Sequence, residues 1–146
     1  QIMRFANEPE QFTLAISLHS AVQRTRNALM PGVRKYSLIN LYNVMGEYVN
    51  KTGRRPTYEY ALIGGINDTE SELQALCDFC EGTLAHVNLI QFNEVEGSKF
   101  RPSTELRAQD FVRRLANVGV EATIRNSRGS DIDAACGQLK QRISRR

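Results

Sequence analysis

The feature that most constrains this chain is a repeated switch of period, in which short runs of β-branched and aromatic residues alternate with segments of helical spacing. The runs are residues 12–18 (FTLAISL), 57–63 (TYEYALI), 85–92 (AHVNLIQF) and 120–125 (VEATIR), and side chains of this kind suit a pleated strand. Between them, Leu38, Leu41, Tyr42, Met45, Tyr48 and Val49 fall on one helical face that stops at Gly53. Thr69 and Glu72 have the spacing of a capping box and open a second helix, with Leu73, Leu76, Cys77 and Cys80 on its apolar stripe and Gly82 at its end. A third runs from Ser103 or Thr104 through Ala108, Phe111, Val112, Leu115 and Ala116 to Gly119, and a shorter fourth lies near Leu139 and Ile143.

Strand and helix alternating at this spacing predict an α/β fold of parallel strands joined by crossover helices, either an open doubly wound sheet or a barrel. Four such units are half of an eight-fold barrel, which takes about 250 residues. The chain also opens almost directly into a strand, so residues 1–146 are expected to form one domain truncated on its N-terminal side. No repeat, low-complexity run or linker divides it.

At 146 residues, with 41% apolar and 24% charged side chains, the composition is that of a globular protein rather than a disordered one. The longest apolar stretches are strand-sized, short of the roughly 20 residues that a membrane helix needs. The first ten residues carry charge and Pro9 rather than a signal peptide, so a cytoplasmic location is expected, with no membrane partner. Three cysteines are too few for a secreted disulfide framework. A net charge of +3 permits a polyanionic partner without requiring one.

Active sites of parallel α/β sheets lie beyond the carboxyl ends of the strands. Those ends bring Ser17-Leu18-His19, residues 64–68 (GGIND), Asn93 with Glu94 and Glu96, and residues 125–136 to a common rim. Ser17 and His19, two apart, are expected on one face. Ser, His, Asn and Cys at one rim suit a polar ligand better than a zinc site, since no second histidine or paired carboxylate has ligand spacing. Gly64-Gly65 lacks the spacing of a dinucleotide loop and serves as a turn. Glu59 shares a face with Thr57, Ala61 and Ile63; it is either a surface residue or, in a barrel, an inward one bonded to a neighbour such as Asn88. Cys77 and Cys80 form a C-x-x-C late in a helix and on its apolar side, which points to core packing rather than redox chemistry. Cys136 follows a polar turn and is open to two readings: a reactive thiol, or part of a buried stripe with Ile132, Leu139 and Ile143.

Residues 128–139, RGSDIDAACGQL, resemble the C-terminal signature of the radical S-adenosylmethionine (SAM) family that methylates carbon-2 of adenine in 23S rRNA and some tRNAs. LAISLH (14–19), LMP with a following Tyr36, TYEYALIGGIND (57–68) and VNLIQFN (87–93) are similar to the same family in order and spacing. The resemblance implies the C-terminal half of a radical SAM (partial TIM-type) barrel. It implies SAM contacts at Ser17, Leu18, His19 and Asn93, with Cys136 as the cysteine that becomes S-methylated. In the family mechanism one SAM methylates this thiolate, and a second, cleaved at a 4Fe-4S cluster, yields a radical that abstracts hydrogen from the new methyl group. The carbon radical attacks adenine, and a second cysteine resolves the protein–RNA thioether. The C-x-x-x-C-x-x-C cluster motif is absent here, and Cys77 and Cys80 cannot replace it. Metal ligands, the resolving cysteine and the proposed general-base glutamate are expected upstream, and this fragment alone is expected to be inactive. Departures from the family pattern are Gln91, Glu94 and Glu96 in place of prolines, residues 20–23, and Ser130 in place of an aspartate. The implied partners of the full-length enzyme are 23S rRNA and tRNA, while the isolated fragment, with exposed sheet edges, is expected to self-associate. The rival reading is a non-catalytic half-barrel that binds RNA or a partner protein.

Overall fold

Alternation gives each strand one apolar face to bury, and the helices supply the matching stripes. The computed structural model describes residues 1–94 and 96–127. A single helical turn, α1 (Ile2–Phe5), precedes β1 (Ala15–Ser17), α2 (Gln23–Leu29), a 3-10 turn (Pro31–Val33) and α3 (Leu38–Thr52). Then follow β2 (Thr57–Ala61), α4 (Glu70–Cys80), β3 (His86–Phe92), α5 (Glu105–Asn117) and β4 (Glu121–Ser127). The four strands pair in sequence order, β1-β2-β3-β4, and every pair is parallel.

Tyr58, Tyr60, Val87 and Leu89 project from the sheet into one buried cluster with Met45 and Tyr48 of α3, Leu73, Leu76, Cys77 and Cys80 of α4, and Ala108, Phe111 and Leu115 of α5. Rings set the contacts: Phe79 lies edge-on to Tyr58 at 5.5 Å, and Phe111 is 5.9 Å from Tyr60. Truncating a buried ring such as Phe111 to alanine costs about 3–5 kcal/mol through lost contacts and the cavity left behind. The opposite face differs. Ser17, Glu59, Asn88 and Thr123 are register partners across all four strands, and all are half-buried or exposed. Among the described residues the core lies wholly on the helix side, so this polar row is the floor of an open face.

Caps set the helix ends. Ser37, Thr69 and Thr104 each accept a hydrogen bond from the backbone N–H three residues on, satisfying a donor that the first turn leaves free. Gly53 ends α3 at φ 64°, a left-handed cap that glycine adopts without steric cost. Two strands are shorter than the pattern suggests, β1 beginning at Ala15 rather than residue 12 and β2 stopping at Ala61 rather than 63, while β4 runs on to Ser127 rather than 125. The expected helix near Leu139 and Ile143 lies outside the described residues.

Candidate functional site

At the carboxyl end of β1 the chain leaves the sheet abruptly. Leu18 and His19 both donate their backbone N–H to the Glu59 carbonyl, at 2.9 and 3.2 Å, and His19 then turns left-handed at φ 56°. For a residue with a Cβ that corner costs roughly 1–2 kcal/mol, and the surroundings compensate for it. The His19 carbonyl accepts from Asn67 Nδ2 at 2.7 Å, while the ring Nδ1 accepts the Ala61 N–H at 3.0 Å. The imidazole thus takes the place of a backbone carbonyl in the β1–β2 ladder. This corrects the expectation that Ser17 and His19 share a face: alternation ends with the strand at Ser17, and the His19 ring lies against the backbone edge of β2.

Because Nδ1 accepts, the neutral ring carries its proton on Nε2 and has one hydrogen-bond donor to offer. Burial, and then the nearby Arg26 guanidinium, pull the His19 pKa down to about 4. His19 therefore stays neutral at physiological pH and is suited to orienting a ligand rather than to carrying charge.

Asn67, wholly buried, ties the corner together. Its Nδ2 donates to the His19 and Ala61 carbonyls, both at 2.7 Å, its Oδ1 accepts the Ile63 N–H at 2.7 Å, and its carbonyl accepts the Tyr60 hydroxyl at 2.7 Å. One side chain thereby joins the ends of β1 and β2. A second buried bond runs from Ser20 Oγ to Glu72 Oε2 at 2.6 Å. Glu72 is thus only half of a capping box: its N–H bonds Thr69 Oγ1, and its carboxylate turns inward to Ser20. Burial and the Glu72 carboxylate push the Tyr60 hydroxyl pKa well up, which keeps it a donor. Arg26 is 4% exposed, donates Nη1 to the Tyr36 carbonyl at 3.3 Å and has no partner for Nε among the described residues.

On the open floor, Asn88 Nδ2 donates to Glu59 Oε2 at 2.9 Å, the pairing expected for an inward-facing glutamate. The loops after β2 and β3 meet where Gly64 donates to the Arg101 carbonyl at 2.8 Å. A Cβ at Gly64 would lie 2.9 Å from the Pro102 carbonyl oxygen, so only glycine fits. Asn93 follows β3 at the same rim and is exposed. With β2 intervening, β1 and β3 lie roughly 10 Å apart across the sheet, and β3 runs on for four residues beyond Asn88, the residue level with Ser17 at the end of β1. Cys77 and Cys80 are buried; desolvation raises both thiols, Cys80 to about 12. They belong to the core, as their helical stripe indicated, and no group of three His, Cys, Asp or Glu able to hold a metal occurs among the described residues. A 4Fe-4S cluster therefore has no fitting set of ligands among them. Cys136 lies outside the described residues.

No protein-family model matches the chain. A domain of a pyruvate-formate lyase-activating enzyme from Bacteroides vulgatus superposes with TM-score 0.66 at 19% identity, over 85% of this chain and 72% of that one, a likeness of fold alone. A radical SAM methyltransferase from Sphaerobacter thermophilus matches with TM-score 0.83 and 42% identity, over 94% of this chain and 40% of its own. The fold is accordingly that of a radical SAM α/β segment. Among curated proteins, a probable dual-specificity RNA methyltransferase RlmN from Clostridium perfringens is 43% identical over 97% of this chain and 41% of its own length. One from Caldanaerobacter subterraneus is 44% identical over 97% of this chain and 42% of its own. The chain is a homologue of the C-terminal part of the radical SAM RNA methyltransferases, and it spans about two-fifths of the length of the curated relatives it matches.

Proposed function

We propose that this chain is the C-terminal part of a radical SAM enzyme that methylates carbon-2 of adenine in 23S rRNA and tRNA. The observation that carries the reading is the Ser17-Leu18-His19 corner at the end of β1, built with a neutral imidazole whose Nδ1 is taken by the Ala61 N–H and whose Nε2–H is left to donate, in a chain homologous to RNA methyltransferases. When bound, S-adenosylmethionine supplies an electrophilic methyl group. In this reading the Ser17 hydroxyl, the Leu18 backbone, the His19 Nε2–H and the Asn93 amide hold it across the end of β2. Leu18 can serve only through its backbone carbonyl, because its side chain is fully buried and its N–H is bonded to Glu59. Uncharged contacts that both donate and accept suit a ribose or adenine edge, which they orient without competing for its proton.

Cys136 is the proposed methyl carrier, its thiolate sulfur forming the bond to the methyl group as the sulfonium–carbon bond breaks. Cys77 and Cys80 are unsuited to that step, since their buried thiols resist ionisation. The test uses the longer protein that contains this chain. Cys136→Ala should abolish methyl transfer to RNA, and mass spectrometry of the parent protein should find a methyl group on Cys136. Turnover by Cys136→Ala within tenfold of the parent would refute the carrier role. Asn93→Ala should weaken SAM binding by about 1–3 kcal/mol, the cost of an unmade hydrogen bond; an unchanged dissociation constant would remove Asn93 from the site.

A further inference from the structure

No aspartate or glutamate occurs between Glu10 and Glu47. That stretch includes the whole connection from the end of β1 to the start of α3, which sets out from the rim where the candidate site lies. Its exposed cations are Arg24, Arg34 and Lys35, with no acidic neighbour in sequence to cancel their field. Beside them Tyr36 is 57% exposed, with the Lys35 ammonium 5.1 Å from its ring centroid.

The connection is also held in shape from beneath. Ser20 is bonded to the buried Glu72 carboxylate, the Leu38 N–H donates to Gln23 Oε1 at 2.6 Å, and the buried Arg26 guanidinium grips the Tyr36 carbonyl. Arg34 is anchored through its inner nitrogen, Nε donating to the Asn27 carbonyl at 3.1 Å, a bond that does not use its two outer nitrogens. A fixed surface with a single sign of charge and an aromatic ring among its cations is the pattern that binds a nucleic-acid strand: phosphates meet the cations and an unpaired base stacks on the ring.

We propose that the connection between β1 and α3 is a docking shelf for the substrate RNA, with Arg24, Arg34 and Lys35 contacting its phosphates and Tyr36 stacking on a base beside the one that enters the rim. The proposal rests on the RNA reading above and adds to it the face that receives the strand. An acidic protein segment would use the cations but not the ring.

The test is fluorescence anisotropy of a labelled RNA stem-loop with an unpaired adenine, titrated with the 146-residue chain at increasing potassium chloride. Arg24→Gln, Arg34→Gln and Lys35→Gln combined should weaken binding at least tenfold and lower the slope of log K against log salt by about 2, as expected when two or three phosphate contacts are lost. Tyr36→Ala should weaken binding about tenfold with little change in slope. A control carrying Arg4→Gln, Arg55→Gln and Arg113→Gln makes the same change in net charge elsewhere and should lose less than threefold. Thermal melting should stay within about 5 °C of the parent in all cases, since every substituted side chain is exposed and bonds at the surface contribute little to stability. Equal losses in shelf and control variants would overturn the proposal, as would an unchanged salt slope, equal affinity for a poly-glutamate peptide, or no RNA binding by the parent chain. Failure of the methyltransferase reading shows up separately, as absence of methyl transfer by the longer protein, and shelf-dependent RNA binding would survive that result.

Discussion

His19 couples the site to stability through its proton. The unfolded chain takes up that proton near the ordinary value of 6.5, whereas the folded ring resists until about 4. Between these values the unfolded state binds more protons, so the contribution is intact above pH 6.5 and is lost as pH falls towards 4. Roughly 2 kcal/mol of unfolding free energy should disappear between pH 7 and pH 5; urea titrations at the two pH values should show it, and His19→Gln should lack it. Asn67→Ala would strand the Ile63 N–H and take a donor from both the His19 and Ala61 carbonyls. It should cost about 3 kcal/mol or more by chemical denaturation. Neither residue declares this role in the sequence. His19 is noticeable because it ends a strand, but its ring bond to Ala61 depends on a left-handed corner that no local pattern encodes. Asn67, Arg26 and Glu72 have the composition of surface residues, and only the packing of distant elements over them makes them interior. Cys77 and Cys80 were legible, because two thiols on an apolar helical stripe have no route to solvent.

At the scale of elements, the helices with conventional ends could be placed from sequence. Ser37, Thr69 and Thr104 cap where a hydroxyl precedes the apolar period, and Gly53 stops α3 where the backbone must turn left-handed. Helix α2 could not be placed in this way: QRTRNAL carries no apolar stripe, and its N-cap is Val22, with no side-chain bond. Its position comes instead from Arg26 and Gln23 reaching neighbouring segments. The ends of β1 and β2 were overestimated because apolar side chains continue past the last ladder bond into buried loop, as Leu18, Leu62 and Ile63 do. The meeting of the β2 and β3 loops gives a direct test. Gly64→Ala must push the Pro102 backbone away and should cost about 1–3 kcal/mol, with faster amide exchange at Gly64 as its bond to Arg101 weakens. Parental exchange there would mean that the loops move together without strain.

For the whole molecule, β1 and β4 each leave one edge unpaired among the described residues, and the row Ser17, Glu59, Asn88 and Thr123 leaves one sheet face uncovered. Unpaired edges and a half-dressed sheet favour association between copies. Light scattering of the 146-residue chain should therefore show a concentration-dependent dimer, and a concentration-independent 16.5 kDa species would exclude it. The strand order also bears on how such a chain is made. Within it β2, β3 and β4 each pair with the strand synthesised just before them. As the polypeptide leaves the ribosome, N-terminal end first at about 5–20 residues per second, each new strand and helix can dock on a platform already in place. The sheet can grow one unit at a time at the pace of translation. Within this stretch the longest wait falls to the three residues of β1, whose pairing on this side begins only when Thr57–Ala61 arrives.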